Sequence, residues 1–117
     1  MAVKTNLIQE KSFQFSLSII SLYKKLQDER EYIISKQILR SATSIGANIE
    51  EAIAGQSRKD FLNKLSISLK EARETRYWLR LLQESELTKI DVSHFQQEAL
   101  EIVNILSAII KTTKSRS

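Results

Sequence analysis

Four carboxylates, Glu50, Glu51, Glu71 and Glu74, are the residues of this chain closest in type and spacing to a reactive centre. In helical bundles, inward-pointing Glu and Glu-x-x-His groups hold bridged metal ions. Here no histidine follows any of the four at that spacing, and the single histidine, His94, lies in a different part of the chain. Neither a metal site nor a cofactor is expected. Without cysteine, a second histidine, a glycine-rich phosphate loop or a G-x-S-x-G turn, the templates for nucleophilic catalysis and phosphoryl transfer lack their parts. The chain reads as a non-enzyme.

Cations offer a different chemistry. Arg73, Arg76 and Arg80 follow steps of three and four, which on a helix places them within a sector of roughly 60°, with Arg58 further back on the same segment. Tyr77 borders the row, and Lys24, Lys25, Lys111, Lys114 and Arg116 would extend its positive area. The formal net charge is +4 and the pI near 9.4, a mild excess that suits an acidic partner such as RNA or DNA. Such a row holds phosphates by releasing their counterions. The same row also fits a solvated face, or a ladder of ion pairs with Glu71, Glu74 and Glu84.

A third polar file runs through Arg40, Ser44, Asn48 and Glu51 in steps of four, four and three. If the segments before and after Gly55 to Ser57 form an antiparallel hairpin, Arg40 faces the level of Ala72, within reach of Glu71 or Glu74. A cross-helix ion pair there would fix register more than add stability. Ser41, Ala42, Ser44, Gly46 and Ala47 are small enough to let another helix approach closely. Gly46 costs a helix about 1 kcal/mol relative to alanine, so close contact is the expected reason for it.

The elements that must position these groups are helical. The chain has 117 residues, no proline, only Gly46 and Gly55, and no cysteine. Cap signals and 3.6-residue periodicity predict one domain with four helices over about 6–27, 29–54, 58–83 and 93–112. Asn6 with Gln9, Asp28 with Glu31, Ser57 with Asp60 and Ser93 with Gln96 mark the starts. Gly55 is expected as a left-handed stop, and Lys111–Ser117 as a fraying tail. The core files are Ile8, Phe15, Ile19, Leu22 and Leu26; Ile34, Ile38, Ile45, Ile49 and Ile53; Phe61, Leu65, Ser68, Ala72, Thr75 and Leu79; and Phe95, Ala99, Ile102, Leu106 and Ile109. Short links predict an all-α, antiparallel up-down-up-down four-helix bundle. No signal peptide or membrane span is read from the sequence, and a cytoplasmic location is expected.

Two of these helices carry more apolar surface than one core uses. Phe13, Leu17 and Ile20 lie opposite the first core file, and Ile67, Trp78 and Leu81 lie away from the third. Uncovered clusters of this kind mark partner surfaces, and self-association into a homo-oligomer is the expectation. Arg40, Asn48, Glu51, Glu71 and Glu74 are assigned with them to structure and assembly.

The run RSATSIGANIEEA from Arg40 to Ala52, followed by SRKDFLNKLSISLKEARETRYWLRLL from Ser57 to Leu82, resembles the 23S rRNA intervening-sequence, or S23, family of small bacterial proteins. The likeness rests on Arg40, Ser44, Ile45, Asn48, Ile49 and Glu51, then Phe61, Glu71, Glu74 and Leu79. It implies a four-helix bundle assembled as a homopentameric ring, related to the accessory variability determinant of diversity-generating retroelements, which binds nucleic acid together with a reverse transcriptase. Two functions therefore stand as expectations: a non-enzymatic oligomeric bundle that binds nucleic acid, or a scaffold that binds a protein partner without nucleic acid.

Overall fold

Helix-favouring residues unbroken by proline carry the chain through α1 (Ala2–Asp28), α2 (Ile34–Ile53), α3 (Arg58–Glu84) and α4 (Ser93–Ser115). The computed structural model describes residues 2–116, with side chains from Thr5 onward. The register between helices follows from side-chain bonds. Ser68 donates to the carbonyl of Ile45 at 2.8 Å, Thr75 donates to Ser41 at 2.8 Å, and Lys64 reaches Glu51 at 2.8 Å. Numbers fall along α2 as they rise along α3, so the two are antiparallel. Gln96 bonding Gln83 and Arg58 bonding the carbonyl of Arg116 make α3 and α4 antiparallel in the same way. Each helix packs on its two neighbours in a square, α1 on α2 and α4, while α1 and α3 stand diagonally without contact. The resulting rod measures 47 × 21 × 20 Å.

One apolar core fills its length. Every residue of the first expected file is buried, as are Ile38, Ile45, Ile49, Leu65, Ala72, Leu79, Ala99, Ile102, Leu106 and Ile109. Ser68 and Thr75 are buried too, tolerated because their hydroxyls are bonded. Ile34, Phe61 and Phe95 are only half-covered, and Ile53 is 40% exposed. Ile53 occupies the last turn of α2, where the stripe has rotated off the core.

The helix ends differ from the sequence expectation in five places. Asn6 does not open α1, which is already helical from Ala2; Asn6 is an exposed residue on its surface. Asp28 does not cap α2, because α1 runs through it. The chain then closes in a Schellman turn, with Arg30 at φ 63° and its N–H bonding Gln27, while the N–H of Glu31 bonds Leu26. Glu31 starts α2 instead: its carboxylate accepts the N–H groups of Ile33, Ile34 and Ser35, and the Ser35 hydroxyl returns a bond to the Glu31 carbonyl. Gly55 is not left-handed. Its N–H bonds Ala52, and Ser57 caps α3 by accepting from the Asp60 N–H at 3.1 Å, as the spacing predicted. Ser93 lies inside α4, bonded through both its N–H and its hydroxyl to Asp91, and α4 runs to Ser115 with no frayed stretch from Lys111; Ser117 lies outside the described residues.

Candidate functional site

The square arrangement of α1 to α4 gives the bundle four long faces, and its residues divide unevenly among them. The α2/α3 face carries the ion cluster expected at Arg40. Its guanidinium lies 3.2 Å from Glu71 and also bonds Glu74, whose carboxylate accepts the Trp78 indole N–H at 2.8 Å. Arg40 is half-exposed, whereas only 17% of the Glu71 side chain is exposed. Ser44 and Asn48 bond back into their own helix and Glu51 pairs with Lys64, so the polar file forms the edge of this contact. Around it Ile67, 43% exposed, Leu81 and the half-buried Trp78 leave an apolar margin.

The α1/α2 face carries Phe13, 58% exposed, and Leu17 and Ile20 are exposed on the outer side of α1. Beside them lies an open groove lined by Ser12, Ser16, Thr43, Gly46 and Ala47, with Glu10 and Glu50 at its rim. A Cβ at Gly46 would sit 3.4 Å from the Ser12 Oγ, an ordinary contact. Close helix packing therefore does not by itself require glycine there, contrary to the sequence expectation.

The α3/α4 face is cationic. Arg73 and Arg76 are exposed and have no hydrogen-bond or ion-pair partner among the described residues. Arg80 is bound at 2.6 Å to Glu84, which raises the pKa of its guanidinium and offsets its charge. Arg58 is separated from this trio by about 22 Å along the helix, too far to share one row. At its own end it donates to the Arg116 carbonyl, closing the last turn of α4. Arg58 there lines two clefts, one with Lys59, Leu62, Asn63, Ser66 and Lys114, the other with Ser57, Phe61, Thr113 and Arg116. The row read from the sequence is thus two clusters, and Lys59 was missed because only the folded α3–α4 contact brings it beside Lys114. Lys24 and Lys25 line neither cleft: they sit on α1, which packs on α2 and α4 and stands diagonally to α3.

The α1/α4 face carries both carboxylates of α4. Lys11 pairs with Glu101 at 2.7 Å, and this bond depresses the Glu101 pKa. The other α4 carboxylate, Glu98, binds His94, which is exposed in the first turn. Neither Glu98 nor Glu101 forms an ion pair with the arginines of α3 among the described residues. Among the described residues, no group of three His, Asp or Glu side chains could hold a metal ion, and no helix is long and apolar enough to cross a membrane.

Fold and surfaces together define an antiparallel four-helix bundle with one cationic face and two partly apolar ones. The chain belongs to the 23S rRNA-intervening sequence protein family, whose profile matches residues 4–108. It is similar to a crystal structure of a protein with unknown function from the S23 ribosomal protein family of Bacteroides thetaiotaomicron VPI-5482, at 50% identity and a TM-score of 0.88 over 92% of this chain and 98% of that one. No curated protein matches the chain.

Proposed function

We propose that this protein is a non-enzymatic, self-associating bundle that holds nucleic acid by its phosphates on the α3/α4 face. The observation that carries the reading is the pair Arg73 and Arg76, exposed side by side with no carboxylate paired to them among the described residues. Free guanidiniums on a rigid helix suit phosphate oxygens, and repetition of the face around an assembly multiplies their effect. The cluster of Arg58, Lys59 and Lys114 supplies a second point of contact on the same face. Self-association is supported by Phe13, Leu17 and Ile20, which the bundle leaves uncovered.

Binding to structured RNA, ribosomal RNA first because the family description names it, and to duplex DNA is measured across a salt series. Affinity is expected to fall steeply as salt rises, and Arg73→Ala or Arg76→Ala to weaken binding to all sequences and reduce the salt slope by about one each. Arg80→Ala should do less, because Glu84 already offsets its charge, and Lys24→Ala should do nothing. No binding to either nucleic acid at low salt overturns the reading and assigns the face to an acidic protein. The accompanying mass from light scattering is expected to be several times the 13.5 kDa chain.

A further inference from the structure

The arginines of the α3/α4 face surround an aromatic ring that phosphate binding alone does not use. We propose that the nucleic acid held there is single-stranded, with one unpaired base stacked on Tyr77 while Arg73 and Arg76 hold the phosphates beside it. The inference rests on the phosphate-binding reading above and names the form of nucleic acid that the face selects.

Tyr77 is 59% exposed, although a ring of this size gains by burial, and its hydroxyl has no hydrogen-bond partner among the described residues. The ring is nevertheless held. Trp78 meets it edge to face, with centroids 5.2 Å apart and planes at 71°, and the Trp78 indole is itself fixed by its bond to Glu74. A ring so braced loses little freedom when a base stacks on it. Arg73 lies one turn before Tyr77 and Arg80 one turn after, so cations bracket the ring along about 10 Å of helix. Leu81 and the Arg80–Glu84 pair complete an open cleft against it. Such a lining suits a flat group with apolar faces and a polar rim: the ring and Leu81 take a face, and the bonded pair offers donors and an acceptor to the rim. That is the chemistry of a nucleobase.

The outer side of α3 also gives a strand a path. Lys59, Ser66, Lys70, Arg73 and Tyr77 are all exposed and fall within about 60° of one another on the helix, and no carboxylate shares that sector before Glu84. The file joins the ring to the cluster of Lys59 and Lys114. In a duplex the bases are already stacked on one another, so the ring would gain nothing and the phosphates alone would be held.

Affinity is measured at one salt concentration for a short single-stranded oligonucleotide, for the same backbone with abasic sites in place of its bases, and for the duplex of the same sequence. The base-bearing strand is expected to bind more tightly than either. Tyr77→Ala should weaken that strand about 5- to 100-fold while leaving the abasic strand and the salt slope unchanged, and Tyr77→Phe, which keeps the ring, should retain the affinity. Helical circular dichroism checks the folding of both variants, and the abasic comparison uses the unaltered chain, so it stands even if a variant does not fold. An abasic strand or a duplex bound as tightly as the base-bearing strand overturns the stacking, as does a folded Tyr77→Ala that binds like the unaltered chain; Arg73→Ala weakening all three ligands would then leave the phosphate reading intact. No binding of any of the three at low salt overturns the phosphate reading itself, a separate failure.

Discussion

Helix α2 meets its two sequence neighbours in different ways. Toward α3 the contact is stitched by side chains, with Thr75 on Ser41, Ser68 on the Ile45 carbonyl, Arg40 between Glu71 and Glu74, and Lys64 on Glu51. Toward α1 it is apolar packing, with polar bonds gathered at the corner where Gln27, Glu31 and Ser35 meet, and an open groove of small residues along the outside. Directional bonds select a single register, while small side chains set only a distance. The α2–α3 hairpin is therefore the rigid reference of the bundle, and the outer α1–α2 surface is the part left available to something else.

One substitution made on two sides of α2 tests that contrast most severely. Ala42 is fully buried between helices, and Ala42→Leu must force them apart, at an expected loss of about 1–3 kcal/mol in denaturant unfolding. Ala47 is exposed at the groove, and Ala47→Leu should change the stability of the single chain by less than about 0.5 kcal/mol. Equal losses would erase the distinction between the two sides.

The corner of the α1–α2 hairpin comes next. Burial raises the pKa of Glu31, but bonds from the N–H groups of Ile34, Ser35 and Ile33 outweigh it and hold the carboxyl below its ordinary 4.5. A depressed folded pKa means the stabilisation is present above the unfolded value and disappears as pH falls through the folded one. Glu31→Gln is expected to cost about 1–2 kcal/mol near neutral pH and little at pH ~2–3, flattening the acid side of the stability profile. A profile as steep as that of the original chain would locate the acid sensitivity elsewhere, with Glu101 and Asp91, both also depressed, as the remaining candidates.

On the stitched side, Arg40→Leu leaves the mostly covered Glu71 without its cation. Because Arg40 is itself half-exposed, the expected loss in thermal or denaturant unfolding is modest, about 1 kcal/mol. The larger consequence is for the α2/α3 face, and the mass of the assembly should fall. Unfolding and mass like those of the original chain would show that the cluster only decorates the register already set by Ser41 and Thr75.

How much of this was legible in the sequence depends on the range of the forces involved. The four helices and the buried files follow from periodicity, which needs only neighbours three and four residues away. Arg40 facing Glu71 and Glu74 was legible for the same reason, once a short link made the hairpin antiparallel. The caps at Asp28 and Ser93 were misread because both have residues of the right type at the right spacing. The Schellman turn at Arg30 and the Asp91–Ser93 bond satisfied the backbone differently. The division of Arg58 from Arg73, Arg76 and Arg80, and the placing of Lys24 and Lys25 elsewhere, depend on which helices are diagonal. A wheel drawn for one helix does not contain that information.

The smallest expected effect has the opposite sign and bears on the groove alone. Gly46→Ala places a methyl 3.4 Å from the Ser12 Oγ and 3.7 Å from its Cβ, distances that need no displacement of α1. The change removes the backbone freedom of glycine from a helix interior, worth up to about 1 kcal/mol, and crowding against the buried Ser12 returns part of it. A net gain of a few tenths of a kcal/mol is expected for the single chain, read as a higher midpoint in urea at unchanged slope. Were the α1–α2 contact as closely fitted as the α2–α3 seam, the same methyl would destabilise. A loss of about 1 kcal/mol or more would therefore mean that the floor of the groove is already closed by α1.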